Sequence, residues 1–154
     1  MAATTHIRIK KFTFDEFKII KEVLIEWNYE WLEYDIIHES ESYIWADKDL
    51  LLRVFNNLFK NAIQATSPET GKIKVTLKEV DDSYEVSVED NGVGIKEEER
   101  EKIFVPYFTT KSTGTGLGLA MCKQIVEGMS GEIWFESELD VGTTFYVSFP
   151  KFSE

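Results

Sequence analysis

The sequence predicts an α+β protein, a two-layer α/β sandwich with a mixed, mostly antiparallel sheet and its helices on one face. Three observations predict it. Two pairs of runs alternate with period two, "KIKVTLKEV" with "YEVSVED" and "EIWFESE" with "TFYVSFP", and turn residues join each pair. Apolar residues recur at helical spacing between these hairpins, over 48–66 and in "LGLAMCKQIVEGM". The chain has 154 residues, 43% of them apolar and 14% aromatic. That length favours one domain and buries roughly 70% of the unfolded chain's surface.

In chain order, residues 1–12 read as an N-terminal linker or tail and 13–154 as the domain. Thr13 followed by Glu16 fits a capping box, and Phe17, Ile20, Leu24 and Trp27 predict a helix over about 14–30. "LEYDIIHE" and "YIWA" read as short strands. Asp47 is a candidate N-cap for the helix over 48–66, whose Leu51, Val54, Phe55, Leu58 and Ala62 form an apolar stripe. "SPETG" punctuates the chain before the first hairpin, which turns at "DDS". Residues 97–103 predict a short charged helix, and "VPYFTTKSTGTG" a loop. The helix that follows stops near Gly131, and the closing hairpin turns around Gly142.

Composition excludes several classes. The formal net charge of −11 argues against a nucleic-acid surface. No apolar run approaches ~18 residues, so no membrane contact is expected of this chain. The start, "MAATTHIRIKKF", lacks the apolar stretch of a signal peptide. Cys122 is the only cysteine, which rules out a disulfide framework and a cysteine metal site. The same charge means that any bound anion needs local devices to overcome an unfavourable field.

Three segments carry the chemistry: "NNLFKNAIQA", "EDNGVGI" and "GTGLGLA". Asn57 and Asn61 are four apart and share a helix face. They are either ordinary polar positions of a solvated face or amides that need a partner, such as Mg²⁺ carried in with phosphates. "DNGVGI" closes a strand, either as a plain turn or as a loop that lets a flat ligand approach the backbone. "GTGLGLA" runs a glycine-rich loop into a helix start, whose free N–H groups suit an anion. It is no Walker A loop, because no Gly-Lys-Ser/Thr follows, and it does not follow a strand as a dinucleotide fingerprint does.

Order and spacing are more specific than any one segment. "NLFKNAIQA", "DNGVGI", "IFVPYFTTK", "GTGLGLA" and "GTTF" resemble the N, G1, F, G2 and G3 boxes of sensor histidine kinase catalytic domains. These domains share a superfamily with DNA gyrase, the heat-shock chaperone ATPases and MutL. The resemblance covers about residues 40–150 and is nearest in form to nitrogen-regulation-type sensor kinases.

The resemblance implies a Bergerat-type ATP-binding fold, with ATP and Mg²⁺ as substrate and cofactor. It implies that Asp90 accepts a hydrogen bond from the adenine amino group, a contact that separates adenine from guanine. Gly92 and Gly94 would then let backbone approach the purine. Asn61 would hold Mg²⁺, Thr143 would support Asp90, and Gly114, Thr115, Gly116, Leu117 and Gly118 would form the phosphate-facing loop. Residues from about 105 to 115 would form a nucleotide lid. Lys111 lies there; its charge and position suit the terminal phosphate, and a solvated loop lysine is the alternative.

Gyrase-like relatives place a Glu four residues before the metal Asn, as general base for water. Here that place is Asn57, an amide that takes no proton near pH 7. Slow hydrolysis and transfer of the phosphoryl group to another acceptor follow. Two departures stand out. Gln64 replaces the Lys or Arg common three residues after the metal Asn, and Asp140 replaces the first Gly of the usual Ser-x-x-Gly-x-Gly-Thr, a change expected to affect a turn rather than the pocket.

No His stands in a phosphoacceptor box; His6 and His38 have the wrong neighbours. The expected function is therefore that of the catalytic part of a two-component kinase, acting on a His of its own dimerisation domain. A response regulator receiver domain would be the downstream partner, and the location cytoplasmic, alone or as part of a membrane sensor. The rival readings are an anti-sigma-factor-type serine kinase and an ATPase clamp.

Overall fold

The computed structural model describes residues 10–13, 32–37, 43–67, 69–108 and 118–151. The helix expected over 14–30 lies outside them, as do both histidines and Lys111, Gly114, Thr115, Gly116 and Leu117. Among the described residues there are seven strands: β1 (Lys10–Thr13), β2 (Leu32–Ile37), β3 (Tyr43–Ala46), β4 (Ile73–Val80), β5 (Ser83–Asp90), β6 (Glu132–Glu138) and β7 (Gly142–Pro150). Two α-helices accompany them, α1 (Lys48–Ala65) and α2 (Gly118–Gly128).

Five strands form one sheet in the order β2-β4-β5-β7-β6. The β2–β4 pair is parallel and the other three are antiparallel, so the sheet is mixed and mostly antiparallel as expected. A parallel pair needs a long crossover, and β3 with α1 supplies it. β1 pairs with β3 in a separate two-stranded ribbon, which puts Lys10, Lys11 and Phe12 of the expected tail into a strand.

Local chemistry sets the helix ends. Asp47 Oδ1 accepts from the Asp49 amide at 2.9 Å and the Leu50 amide at 3.2 Å, two of the N–H groups a helix start leaves unpaired. Thr66 closes α1 by returning its hydroxyl to the Ile63 carbonyl at 3.0 Å. The buried stripe of α1 is Leu51, Val54, Phe55, Leu58, Phe59 and Ala62, all at helical spacing. Val75, Leu77, Val86, Val88, Val147 and Phe149 meet that stripe from the inner face of the sheet. Along β5, and along β7 from Thr143 onward, burial alternates, so one face carries the core and the other is polar. Truncating a fully buried side chain such as Leu58 to Ala costs about 2–5 kcal/mol.

One expected element is corrected. Residues 97–103 do not form an α-helix; only Glu97–Glu99 form a single 3₁₀ turn, followed by further turns. The bonds there run from residue i+3 to i, as in Lys102 N–H to the Glu99 carbonyl and Val105 N–H to the Lys102 carbonyl, both 2.9 Å. The tighter winding accompanies the docking of Phe104 against Phe135 and Phe145, at ring distances of 6.1 and 6.4 Å.

Candidate functional site: a buried carboxylate at the end of the sheet

The register of the sheet places Ile73, Asp90, Thr143 and Ser137 side by side on four adjacent strands, β4, β5, β7 and β6. Asp90 and Thr143 are the buried polar side chains in the described part of the molecule, at 5% and 6% exposure. A carboxylate is seldom placed so deep unless its bonds are met. Asp90 Oδ1 accepts from the Gly92 amide at 2.9 Å, which turns the chain sharply out of β5.

The loop after Asp90 is clamped by the protein's own backbone. Asn91 ties it to the start of β4, accepting from the Lys72 amide at 2.7 Å and donating to the Thr70 carbonyl at 2.9 Å. Val93 N–H donates to the Ala65 carbonyl at the end of α1, at 3.1 Å. A Cβ at Gly92 would lie 2.3 Å from that same carbonyl oxygen, and one at Gly94, where φ is +76°, 2.4 Å from the Glu138 carbonyl oxygen. The need for glycine at both positions is thus met by contacts with α1 and with the β6–β7 turn, rather than by a ligand's approach alone.

Ser137, to which the sequence gave no role, is the hub of the far side. Its Oγ lies 2.8 Å from Thr143 Oγ1, donates to the Gly142 carbonyl at 3.1 Å and accepts from the Ile95 amide at 2.8 Å. Arg100 Nη2 donates to its carbonyl, and Arg100 Nε sits 3.3 Å from Glu97 Oε2 without hydrogen-bond geometry. Sequence offered only the serine's place in a pattern; its partners come from strand pairing.

On the helical layer, Asn57 and Asn61 are half-buried one turn apart on α1. Asn57 Nδ2 donates to the Arg53 carbonyl at 2.8 Å, and its Oδ1 lies 2.6 Å from where a Cβ on Gly118 would be. The first residue of α2 therefore packs directly on Asn57, which brings the end of the "GTGLGLA" segment to the amide face of α1. Among the described residues no group of three or more His, Cys, Asp or Glu could hold a metal. Asn61 carries an amide oxygen, a ligand type that Mg²⁺ accepts.

A cavity of about 590 Å³ lies at the same end of the sheet but reaches the outer face, where Lys74, Glu89, Thr144 and Glu136 line it. Asp90, Ser137 and Thr143 line it too, whereas Asn57, Asn61 and Gly118 do not. No helix among the described residues is long and apolar enough to cross a membrane.

Comparison with known proteins identifies the family and the fold. Residues 46–153 match the family described as "Histidine kinase-, DNA gyrase B-, and HSP90-like ATPase". Of the curated relatives, the sensor histidine kinase ZraS of Escherichia coli is 46% identical over 107 residues, 70% of this chain and 23% of that protein. The signal transduction histidine-protein kinase AtoS of the same organism is 44% identical over 106 residues, 68% of this chain and 17% of that protein. The chain thus spans less than a quarter of these relatives' length. The catalytic domain of histidine kinase ThkA superposes with a TM-score of 0.76 at 36% identity, covering 92% of this chain and 95% of that one. ThkA in complex with response regulator protein TrrA gives 0.72 at 32% identity, covering 95% of this chain and 42% of that one. The chain belongs to the histidine kinase-, gyrase B- and HSP90-like ATPase family and, within it, to the ATP-binding catalytic domains of histidine kinases.

Proposed function

We propose that this domain binds MgATP in the cleft between the Asp90 end of the sheet and the helices α1 and α2, and presents the γ-phosphate to a histidine on a separate dimerisation domain. The observation that carries this reading is the buried Asp90–Thr143 pair at the sheet end; the packing of Gly118, the first residue of α2, on Asn57 of α1 supports it. Asp90 accepts from the exocyclic amino group of adenine, which a keto base cannot donate. Asn61 holds Mg²⁺ through its amide oxygen. Bound there, the ion supplies charge neutralisation at the phosphate oxygens.

The chain's own groups do the rest. Gly118 and the loop from Gly114 to Leu117 offer backbone N–H groups to the phosphates at the start of α2, where the helix dipole favours negative charge. Lys111 adds a cation near the terminal phosphate. These devices locally offset the chain's net charge of −11. Asn57 provides no base to activate water, so hydrolysis is slow and the phosphoryl group waits for its acceptor. A neutral imidazole needs no deprotonation to attack, so positioning and charge shielding suffice. The product is then a phosphohistidine, whose phosphoryl group passes to a response regulator while the histidine stays in place; the relative ThkA is found in complex with response regulator protein TrrA.

The test has two parts. MgATP should raise the melting temperature of the isolated chain with negligible phosphate release and no self-labelling. Added dimerisation helices should become labelled with an acid-labile phosphate. An acid-stable phosphoserine on a partner, or steady ATP turnover, would overturn the histidine kinase reading.

A further inference from the structure

Ser137 Oγ has three polar neighbours and one proton to place among them. Its contacts are the Ile95 amide at 2.8 Å, the Gly142 carbonyl at 3.1 Å and Thr143 Oγ1 at 2.8 Å. A serine hydroxyl donates once and accepts twice. The Ile95 N–H can only donate, so it fills one lone pair. The Gly142 carbonyl can only accept, so it takes the serine proton. The remaining contact is satisfied only when Thr143 donates to Ser137. This is the single assignment that uses all three contacts.

It has a consequence for the pocket. Thr143 has one hydroxyl proton, and Ser137 takes it. On its other side Thr143 Oγ1 presents lone pairs alone. Its register partner across β5 and β7 is Asp90, whose carboxylate also only accepts when ionised. Two neighbouring acceptors at a 5–6% exposed position welcome an amino group and oppose a keto oxygen. Arg100, donating to the Ser137 carbonyl, and the Ile95 amide hold the serine in place.

We infer that Ser137 is a positioning residue for base selectivity: by drawing the Thr143 proton out of the pocket, it makes the site reject 6-keto purines. The inference rests on the placement of adenine at Asp90. ATP and inosine triphosphate are suitable probes, because the amino group of one is replaced by a keto group in the other. In Ser137→Ala the Thr143 proton is released and can be donated into the pocket.

The experiment measures affinities of the full chain for both nucleotides by calorimetry, with melting temperature recorded separately. The wild type should prefer ATP. Ser137→Ala should lower the ATP-to-inosine-triphosphate affinity ratio by roughly tenfold, the scale of one mispaired buried hydrogen bond. Ser137→Thr, which keeps the hydroxyl, should retain the ratio. In a Thr143→Val background, Ser137→Ala should change the ratio no further. Should the alanine variant fail to fold, Ser137→Cys, similar in shape with a much weaker hydrogen-bonding group, carries the same comparison. An equal loss of affinity for both nucleotides in the serine variants would show a merely structural serine and overturn the inference, leaving Asp90's role intact. A wild type blind to the purine 6-substituent would overturn both.

Discussion

Asp90 on β5 and Thr143 on β7 are direct register partners, both buried, at the end of a sheet whose remaining inner face is apolar. The relationship depends on a third residue. Gly142, with φ at +149°, lets β7 begin hard against β5: a Cβ there would fall 2.0 Å from the Asp90 carbonyl oxygen.

Gly142→Ala should be among the most damaging small substitutions in the domain. The added methyl meets backbone, which cannot step aside as a side-chain tip could, and the φ is one that L-residues avoid. A loss of about 2–4 kcal/mol in urea unfolding is expected, within the range of the larger single-site effects.

Asp140→Gly should act in the opposite direction. Asp140 occupies the β6–β7 turn with φ at +64°, at the place where the resemblance leads one to expect glycine. A left-handed backbone costs an L-residue roughly 1–2 kcal/mol, partly offset here by the extra unfolded-state entropy of glycine. The variant should gain up to about 1 kcal/mol and melt a few degrees higher, with ATP affinity unchanged.

Cys122 should be silent to thiol reagents in the native state and should make the protein sensitive to alkali. Burial pushes its thiol up to about 12 from 9.0, against a weaker opposing effect of its backbone hydrogen bond. A raised native value means that the neutral thiol's contribution is fully present below pH 9 and is lost as pH climbs from about 9 towards 12. The slope from this one group is at most about 1.4 kcal/mol per pH unit. Tyr146 moves the same way, through burial first and then the carboxylates of Glu136, Glu85 and Glu89. Urea midpoints across pH 8–11 for wild type and Cys122→Ala should diverge from about pH 9 upward, with the wild type the steeper.

Asn61→Ala should separate metal from base recognition. The variant should lose the gain in ATP affinity that Mg²⁺ confers, while affinity measured with a chelator present stays near that of the wild type. Calorimetry with and without Mg²⁺ reads both quantities. An equal loss under the two conditions would place Asn61 on the nucleotide rather than on the metal.

Much of this fold can be read in the chain because its signals are local. Asp47 caps α1 where a cap was expected, and the stripe from Leu51 to Ala62 is the buried one. Both hairpins follow from alternation that each strand carries by itself. The parallel pairing of Leu32–Ile37 with β4 is not local, because it depends on a crossover through α1 and on which edge remains open. Residues 97–103 are a different case: their glutamates favour a helix by composition, whereas the chain takes 3₁₀ and single turns where Phe104 docks against Phe135 and Phe145.

The site shows the same division. Asp90, Thr143 and Asn61 are marked by the segments that resemble the family's boxes. Ser137 is marked only as the first residue of the Ser-x-x-Gly-x-Gly-Thr pattern, with no role attached, and its partners appear only when register puts it beside Thr143. Gly92 and Gly94 were legible as special positions, but the neighbours that demand them, the Ala65 and Glu138 carbonyls, are distant in sequence.

The central claim is that one carboxylate at the end of β5, that of Asp90, reads the nucleotide base. Asp90→Asn is nearly isosteric and keeps an oxygen for the Gly92 amide, so the fold should survive, while the side chain gains donors that oppose the adenine amino group. Calorimetric titration with MgATP should show affinity reduced by on the order of a hundredfold or more, with the melting temperature of the free protein little changed. Wild-type affinity in a folded Asp90→Asn protein would contradict the account.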